Sequence, residues 1–406
     1  MNYPITRASL NLTRNCNLAC SYCFTYGCRV GRMSEEIAYK AVDFLFKNAD
    51  KVNPVEISFW GGEPLLEWSL LQKIVLYAKE KSVQVVVPVT FGGTTNGTLL
   101  TEEKFDFLDE HKIFFLVSLD GTQETHDFYR RFKDGQGSHA TIMKNMEKVL
   151  ERWPFYRPRL GLTADSIHNL YNDVKYLIDF GFNSIIFSPV YETKWTDEKW
   201  KIFEEQGYKI VDLLKTYRDN GHIIEIEHFK SYQAADNSKY PCGGGRNYVG
   251  IDIDGAIAPC HRFFKFDDKR AWQDKEICIG HIDHGITRSE FRQSFIDFSH
   301  NQCNGCARLK DTPCNSGCYA VNFDFTGDIK IPHIGLCKYV EVQKKISMYY
   351  KEKIGDKAIS QDKNCICNFE HYTGPVIDNP PTISLETIAL LISDLNNRVS
   401  ALERRG

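Results

Sequence analysis

Six times between residues 6 and 220 a short β-branched run gives way to an amphipathic stretch, and this alternation limits the fold more than any other feature. The strand-like runs are RASLNLT, VEISFW, VQVVVPVTF, IFFLVSL, RLGLT and SIIFSPV. Helix-like stretches such as SEEIAYKAVDFLFKNA, EWSLLQKIVLYAKE and TEEKFDFLDEHK lie between them, with Ser34 and Thr101 placed as N-caps. Parallel strands need long crossovers, and amphipathic helices supply them. The expected architecture is therefore α/β, a partial (β/α)6 TIM-like barrel. In such a barrel the chemistry gathers where the strands end. CNLACSYC follows the first run and GGEP the second, so both motifs fall there.

The chain holds 14 cysteines in 406 residues. A disulfide framework belongs to small secreted domains. Here the N-terminus MNYPITRASLNLTRNC has neither the apolar core nor the cleavage site of a signal peptide, so a cytoplasmic protein is expected. The clustered spacings then point to thiolate–metal sites. A net charge of −3 gives no footprint for nucleic acid. No apolar run reaches the roughly 18 residues that a membrane span requires.

Cys16, Cys20 and Cys23 stand in C-x3-C-x2-C spacing with an aromatic residue between the last two. Three thiolates can hold three irons of a cubane and leave the fourth iron open. An incomplete zinc site is the alternative. Cys28 lies outside this compact loop and is read as a bystander. The triplet followed by GGEP resembles the radical S-adenosylmethionine (radical SAM) enzymes. That resemblance implies a [4Fe–4S] cluster on Cys16, Cys20 and Cys23, with S-adenosyl-L-methionine in the open place. It also implies that Gly61, Gly62 and Glu63 hold the cofactor's amino group and that Ser118 of SLDG meets its ribose or methionine part. Arg130, in HDFYRRFKDGQGSHATI, would pair with its carboxylate, and Asn96 of TTNG would be a further contact. Outside the resemblance, a Gly-Gly or Asn-Gly pair is a turn and Arg130 a surface charge.

Composition shifts near residue 240, and eight cysteines fall between residues 242 and 337. The expected division is a barrel over 1–235, a cluster-binding domain over 236–345 held more by metal than by a large apolar core, and a helix, linker and tail over 346–406. NYVGIDIDGAIAPC reads as a hairpin that brings Cys242 and Cys260 together. A zinc ribbon is one reading of this region. The whole string of seven cysteines resembles the SPASM domain, which implies two auxiliary [4Fe–4S] clusters and three clusters in all. By that pattern Cys303, Cys306, Cys314 and Cys337 hold the distal cluster, and Cys242, Cys260 and Cys318 the proximal one. Seven residues separate Cys306 from Cys314 where the pattern has five. No cysteine lies between Cys28 and Cys242 to complete the proximal set, so an open iron facing the barrel is expected there, suited to a substrate thiolate, with a nearby non-Cys ligand, Cys278 or water as the alternative occupant. Cys278 reads as core and His261 as a neighbour of the cluster. His281 and His284 read as surface or capping residues, and Cys365 and Cys367 carry no assignment.

The function expected from the resemblance is that of a maturase forming thioether crosslinks in a ribosomally made peptide. Formylglycine formation of the anaerobic sulfatase-maturase type, carbon–carbon crosslinking and a non-catalytic zinc or iron–sulfur module are the alternatives. An electron donor such as flavodoxin or ferredoxin is implied as a partner. The first strand begins by residue 6, so an N-terminal leader-binding domain is not expected. Apolar residues at 385, 388, 392, 395, 399 and 402 give the tail an a/d stripe that fits a second copy, a partner protein or the chain's own body.

Overall fold

β1 (Arg7–Thr13) is buried along almost its whole length, as a parallel strand is when both faces of its sheet are covered. Ala8, Leu10 and Leu12 enter the main apolar core. The computed structural model describes residues 3–25, 30–154, 156–230, 242–265, 277–297 and 317–355. Cys28, Cys303, Cys306, Cys314, Cys365, Cys367 and the heptad-like tail lie outside the described residues.

From β1 the sheet runs in parallel through β2 (Val55–Gly61), β3 (Val89–Thr95) and β4 (Ile113–Val117). An isolated parallel bridge from Ser118 to Arg159 passes to a second parallel sheet. Its strands are β5 (Arg159–Leu162), β6 (Ser184–Pro189) and β7 (Glu225–Ile226). The crossovers carry α1 (Glu35–Asn48), α2 (Trp68–Val85), α3 (Glu102–Glu110), α4 (Gln123–Tyr129), α5 (His139–Arg152), α6 (Leu170–Phe180) and α7 (Asp197–Asp219), with the short α8 (Glu227–Lys230) after β7. The Ser34 side chain accepts from Ile37 N, and that of Thr101 from Lys104 N, so both expected caps are made.

One expected strand differs. VQVVVPVTF begins as helix: α2 continues to Val85, Val86 takes a left-handed φ of 56°, and β3 starts only at Val89. The buried stripe Leu70, Leu71, Ile74, Val75 and Ala78 sets the helical period. Pro88, which disfavours a helical residue before it, enforces the stop. Val83 and Val86 are left exposed.

On its other edge β1 pairs in parallel with β8 (Tyr248–Ile251), in register from Arg7 opposite Tyr248 to Leu10 opposite Ile251. β8 turns into β9 (Ala256–Ala258) as the expected hairpin, and β10 (Gly280–His281) and β11 (Gly285–Ile286) extend the same sheet. α9 (Ser289–Ile296), α10 (Tyr319–Thr326) and α11 (Ile334–Ile354) follow. This region has a modest apolar core of its own, built on Phe263, Phe264, Ile277, Phe295, Tyr319 and the buried Cys278. His281 caps the hairpin turn through Asp254 O at 2.8 Å. Among the described residues no helix is long and apolar enough to cross a membrane.

Candidate active site

The loop after β1 carries the cysteine triplet, and neighbouring elements hold it residue by residue. Leu18 bridges to Phe132, while Ala19 N and Ser21 N donate to Arg131 O and Tyr129 O at 2.8 and 3.1 Å. The Arg130 segment therefore runs antiparallel beside the thiols. Cys16 Sγ accepts from Leu18 N at 3.4 Å and from the Asn96 amide at 3.8 Å. Burial raises the Cys16 thiol and pushes that of Cys20 up to about 11, although Arg130 opposes the shift at Cys20. Both stay protonated at neutral pH until a metal displaces the proton. Cys20 feels both Cys16 and Cys23, so the three sulfurs share one locale. Among the described residues no three His, Cys, Asp or Glu side chains converge as a single-ion site requires. A cubane spreads its ligands over separate irons.

GGEP is built against this loop. Gly62 N donates to Thr13 O at 2.8 Å and Glu63 N to Asn15 O at 2.9 Å. A Cβ on Gly62 would lie 2.2 Å from Asn15 O and 3.0 Å from Cys16 N, and one on Gly61, whose φ is 145°, 2.2 Å from Thr13 O. Only glycines let the two backbones approach this closely. Glu63 is fully buried and turned inward, accepting from Leu65 N at 3.0 Å, Thr95 Oγ1 at 2.8 Å and Asn96 N at 2.7 Å. Burial lifts its carboxyl to about 7 against these bonds. Its side chain thus fastens the end of β3, and backbone carbonyls are what the glycine turn presents. Asn96 also donates to Asn17 Oδ1 at 2.8 Å.

Arg130 is buried rather than a surface charge. Its guanidinium grips Asp120 at 2.7 and 3.3 Å and lies over the Tyr22 ring, 5.1 Å from the centroid. Asp120 also accepts from Tyr22 Oη at 2.6 Å and Gly161 N at 2.8 Å. One carboxylate so ties together the cysteine loop, the Arg130 segment and β5. Ser118 sits at the end of β4, its N–H donating to Thr95 O at 3.0 Å.

The Radical SAM superfamily profile matches residues 10–177. The barrel is a radical SAM domain. Over 333 residues the chain is 29% identical to the cysteine-type anaerobic sulfatase-maturating enzyme of Clostridium novyi (strain NT), an alignment covering 75% of this chain and 85% of that one. It is 26% identical over 304 residues to AlbA, the antilisterial bacteriocin subtilosin biosynthesis protein of Bacillus subtilis (strain 168), covering 71% and 60%. The solved structure of anSMEcpe with bound AdoMet and the Cp18Cys peptide has the same fold, with a TM-score of 0.68 at 19% identity and coverage of 86% and 98%. Residues 10–177 belong to the radical SAM superfamily. The cysteine donors, the N–H groups aimed at Cys16 and the bare glycine turn fit a thiolate-held cluster with S-adenosylmethionine beside it. Bound together, these groups would supply a carbon-centred radical for hydrogen abstraction.

Facing the radical SAM loop is a second thiol set. Cys260 has Cys318 and Cys242 as electrostatic neighbours, and burial raises its thiol far above the ordinary value. Part of the Cys242 side chain is exposed, yet desolvation, followed by Cys318, pushes its thiol up to about 12. Tyr191 has both Cys318 and Cys337 in its surroundings, which sets the first turn of α11 near the same place. An aromatic column joins the two thiol sets. Phe24, next after Cys23, stacks on Trp60 at 5.8 Å, and Trp60 packs on His261, next after Cys260, at 4.8 Å. Tyr248 Oη lies 2.6 Å from His261 Nδ1. Burial, then Arg262 and Arg159, holds that imidazole neutral with a pKa of about 3.

A cavity of about 450 Å³ opens beside Cys23, lined among others by Tyr22, Tyr129, Asp165, Glu192 and Lys194. Tyr22, Asp120, Trp60 and Arg262 belong to this site without having been singled out from the sequence. Tyr22 was within reach as the aromatic residue between the last two cysteines. Asp120 sits inside SLDG, but its role depends on contacts with residues up to 98 positions away.

Proposed function

We propose that this radical SAM enzyme is a peptide maturase whose substrate is a ribosomally made peptide, and that the bond it forms is a thioether from a substrate cysteine. In this reading Cys16, Cys20 and Cys23 hold the radical cluster. Gly61 and Gly62 carbonyls meet the cofactor's amino group, and Asn96, Ser118 and Arg130 line its place, with Glu63 bracing the turn. Cys242, Cys260 and Cys318 hold a proximal auxiliary cluster. Cys303, Cys306, Cys314 and Cys337 hold a distal one. The observation that supports the reading is the proximal set: among the described residues the thiols that act on Cys260 are Cys242 and Cys318, three donors for the four irons of a cubane, and in this reading the fourth iron takes a substrate thiolate. The column Phe24–Trp60–His261 spans the interval between that position and the radical loop, where a peptide would lie. The solved structure of anSMEcpe, which holds the Cp18Cys peptide, supports peptide binding in this fold.

The test is anaerobic reconstitution followed by mass spectrometry of the cysteine-containing peptide encoded beside the gene. A thioether removes two hydrogens and keeps the sulfur. A product that loses sulfur and gains a carbonyl oxygen establishes the second reading, formylglycine formation. That reading draws support from the likeness to the Clostridium novyi maturase across most of its length. The electron donor of either reaction is expected to be a flavodoxin or ferredoxin.

A further inference from the structure

Three guanidinium groups lie among the residues that connect the two thiol sets, and two carboxylates answer them. Arg130 is paired with Asp120 at 2.7 Å. Arg262 is paired with Glu192 and lies over the Phe24 ring at 4.7 Å. Arg159 hydrogen-bonds Ser188 Oγ and makes no ion pair among the described residues.

The direction of Arg159 follows from register. It opens β5 two residues before Gly161, so the two share a face of the strand. A Cβ on Gly161 would meet Asp120 Oδ1 and Tyr22 Oη, each at 3.1 Å, which makes this the face toward the cysteine loop. Leu160 and Leu162, on the other face, are buried in the main core. Ser188 near the end of β6 holds the guanidinium from the neighbouring strand. Arg159 also couples to both sides of the space: to Arg130, Tyr22 and Asp120 near the radical loop, and to Arg262 near Cys260. Burial, and after it the charge of Arg130, pulls its own pKa down, while Tyr22 and Asp120 oppose the shift. The thiols have other cations beside them, Arg130 at Cys20 and Arg262 at Cys260.

We propose that Arg159 is a specificity-determining residue, an anion subsite that receives a carboxylate of the peptide next to the reacting cysteine. The substrate is then a peptide with Asp or Glu adjacent to the modified cysteine, or with that cysteine at its C-terminus. A planar fork with one N–H committed to Ser188 retains donors for two-point contact with such a group. The inference rests on the peptide-maturase reading and narrows its substrate.

Binding, not turnover, tests it. Capped tetrapeptides with Cys-Asp or Asp-Cys at the centre, and their Asn counterparts, are titrated calorimetrically into reconstituted enzyme saturated with S-adenosylmethionine. The wild type should bind an Asp peptide about tenfold more tightly than its Asn counterpart. Arg159→Gln should erase that preference and Arg159→Lys keep part of it, with S-adenosylmethionine affinity unchanged in both. Circular dichroism melts identify any variant that misfolds, and the wild-type comparison of Asp with Asn decides the matter without a variant. Equal or absent binding of the two peptides by the wild type overturns the subsite. Loss of S-adenosylmethionine affinity in Arg159→Gln overturns it too, since the anion is then the cofactor's carboxylate. A retained Asp preference with a product lacking a thioether would fault the reaction reading and leave the subsite standing.

Discussion

Arg14 and Asp252 form an ion pair across 238 positions of sequence, with side-chain exposures of 5% and 0%. Asp252 also accepts from Asn11 Nδ2 at 2.8 Å. Arg14 stands two residues before Cys16 and Asp252 in the turn of the β8–β9 hairpin, so the hairpin grips the root of the radical loop. Removing one partner of a buried pair strands the other charge and costs about 3–5 kcal/mol. Asp252→Ala should lower stability by about that amount in urea melts, and Arg14→Leu/Asp252→Leu by less than the sum of the single changes. Simple additivity would mean that the two side chains do not depend on each other.

Gly62→Ala probes the contact between GGEP and the cysteine loop. With Asn15 O only 2.2 Å from the new Cβ, one of the two backbones must yield. The protein should fold and lose the iron of one cluster while retaining auxiliary iron, read by iron analysis and electron paramagnetic resonance. Full iron occupancy with normal S-adenosylmethionine cleavage would show that the loop tolerates the displacement.

Replacing Cys16, Cys20 and Cys23 together by Ala should abolish 5′-deoxyadenosine production and leave the auxiliary iron in place. Continued production by the triple variant would assign the radical cluster elsewhere.

His126 gives a pH prediction. Its Nδ1 accepts from Asp120 N at 3.2 Å, and Nε2 lies 3.0 Å from Ser138 Oγ, which donates to Arg130 O. Burial depresses its pKa to about 3, from 6.5 in the unfolded chain. Between those values the unfolded state binds more protons, so stability is full above pH 6.5 and declines as pH falls toward 3. The slope is about 1.4 kcal/mol per pH unit. Denaturant melts of wild type and His126→Gln at pH 7.5 and 5 should show the wild type losing more. Parallel losses would mean that His126 is protonated in the fold.

Periodicity made the barrel legible because β1, β2, β4, β5 and β6 each carry a short apolar run and the helices between them keep a clean stripe. It failed at VQVVVPVTF, where β-branched residues on the exposed side of α2 imitate a strand; propensity yields there to the buried stripe of Leu71, Ile74 and Val75. Local motifs exposed the cysteine loop and GGEP. Asp120 and Asp252 were invisible for a common reason: each is one acidic residue in a turn-like stretch, and its partners are assembled by topology. Glu63 was legible as part of the site, but which way its carboxylate points is settled by the donors at Leu65, Thr95 and Asn96.

The pairing of β1 with β8 also has a consequence for synthesis. At roughly 5–20 residues per second, a ribosome that has finished β1 needs on the order of ten seconds or more to deliver residues 248–251. Throughout that interval β1 has one edge that its own chain cannot yet cover. An unpaired strand edge is a template for association. The charge of Arg7, opposite Tyr248, is the feature of RASLNLT that opposes it during the wait. Closure over so long a span makes the last step of folding slow. The cysteine loop reaches its final root at Arg14 only when the nascent chain has grown past Asp252.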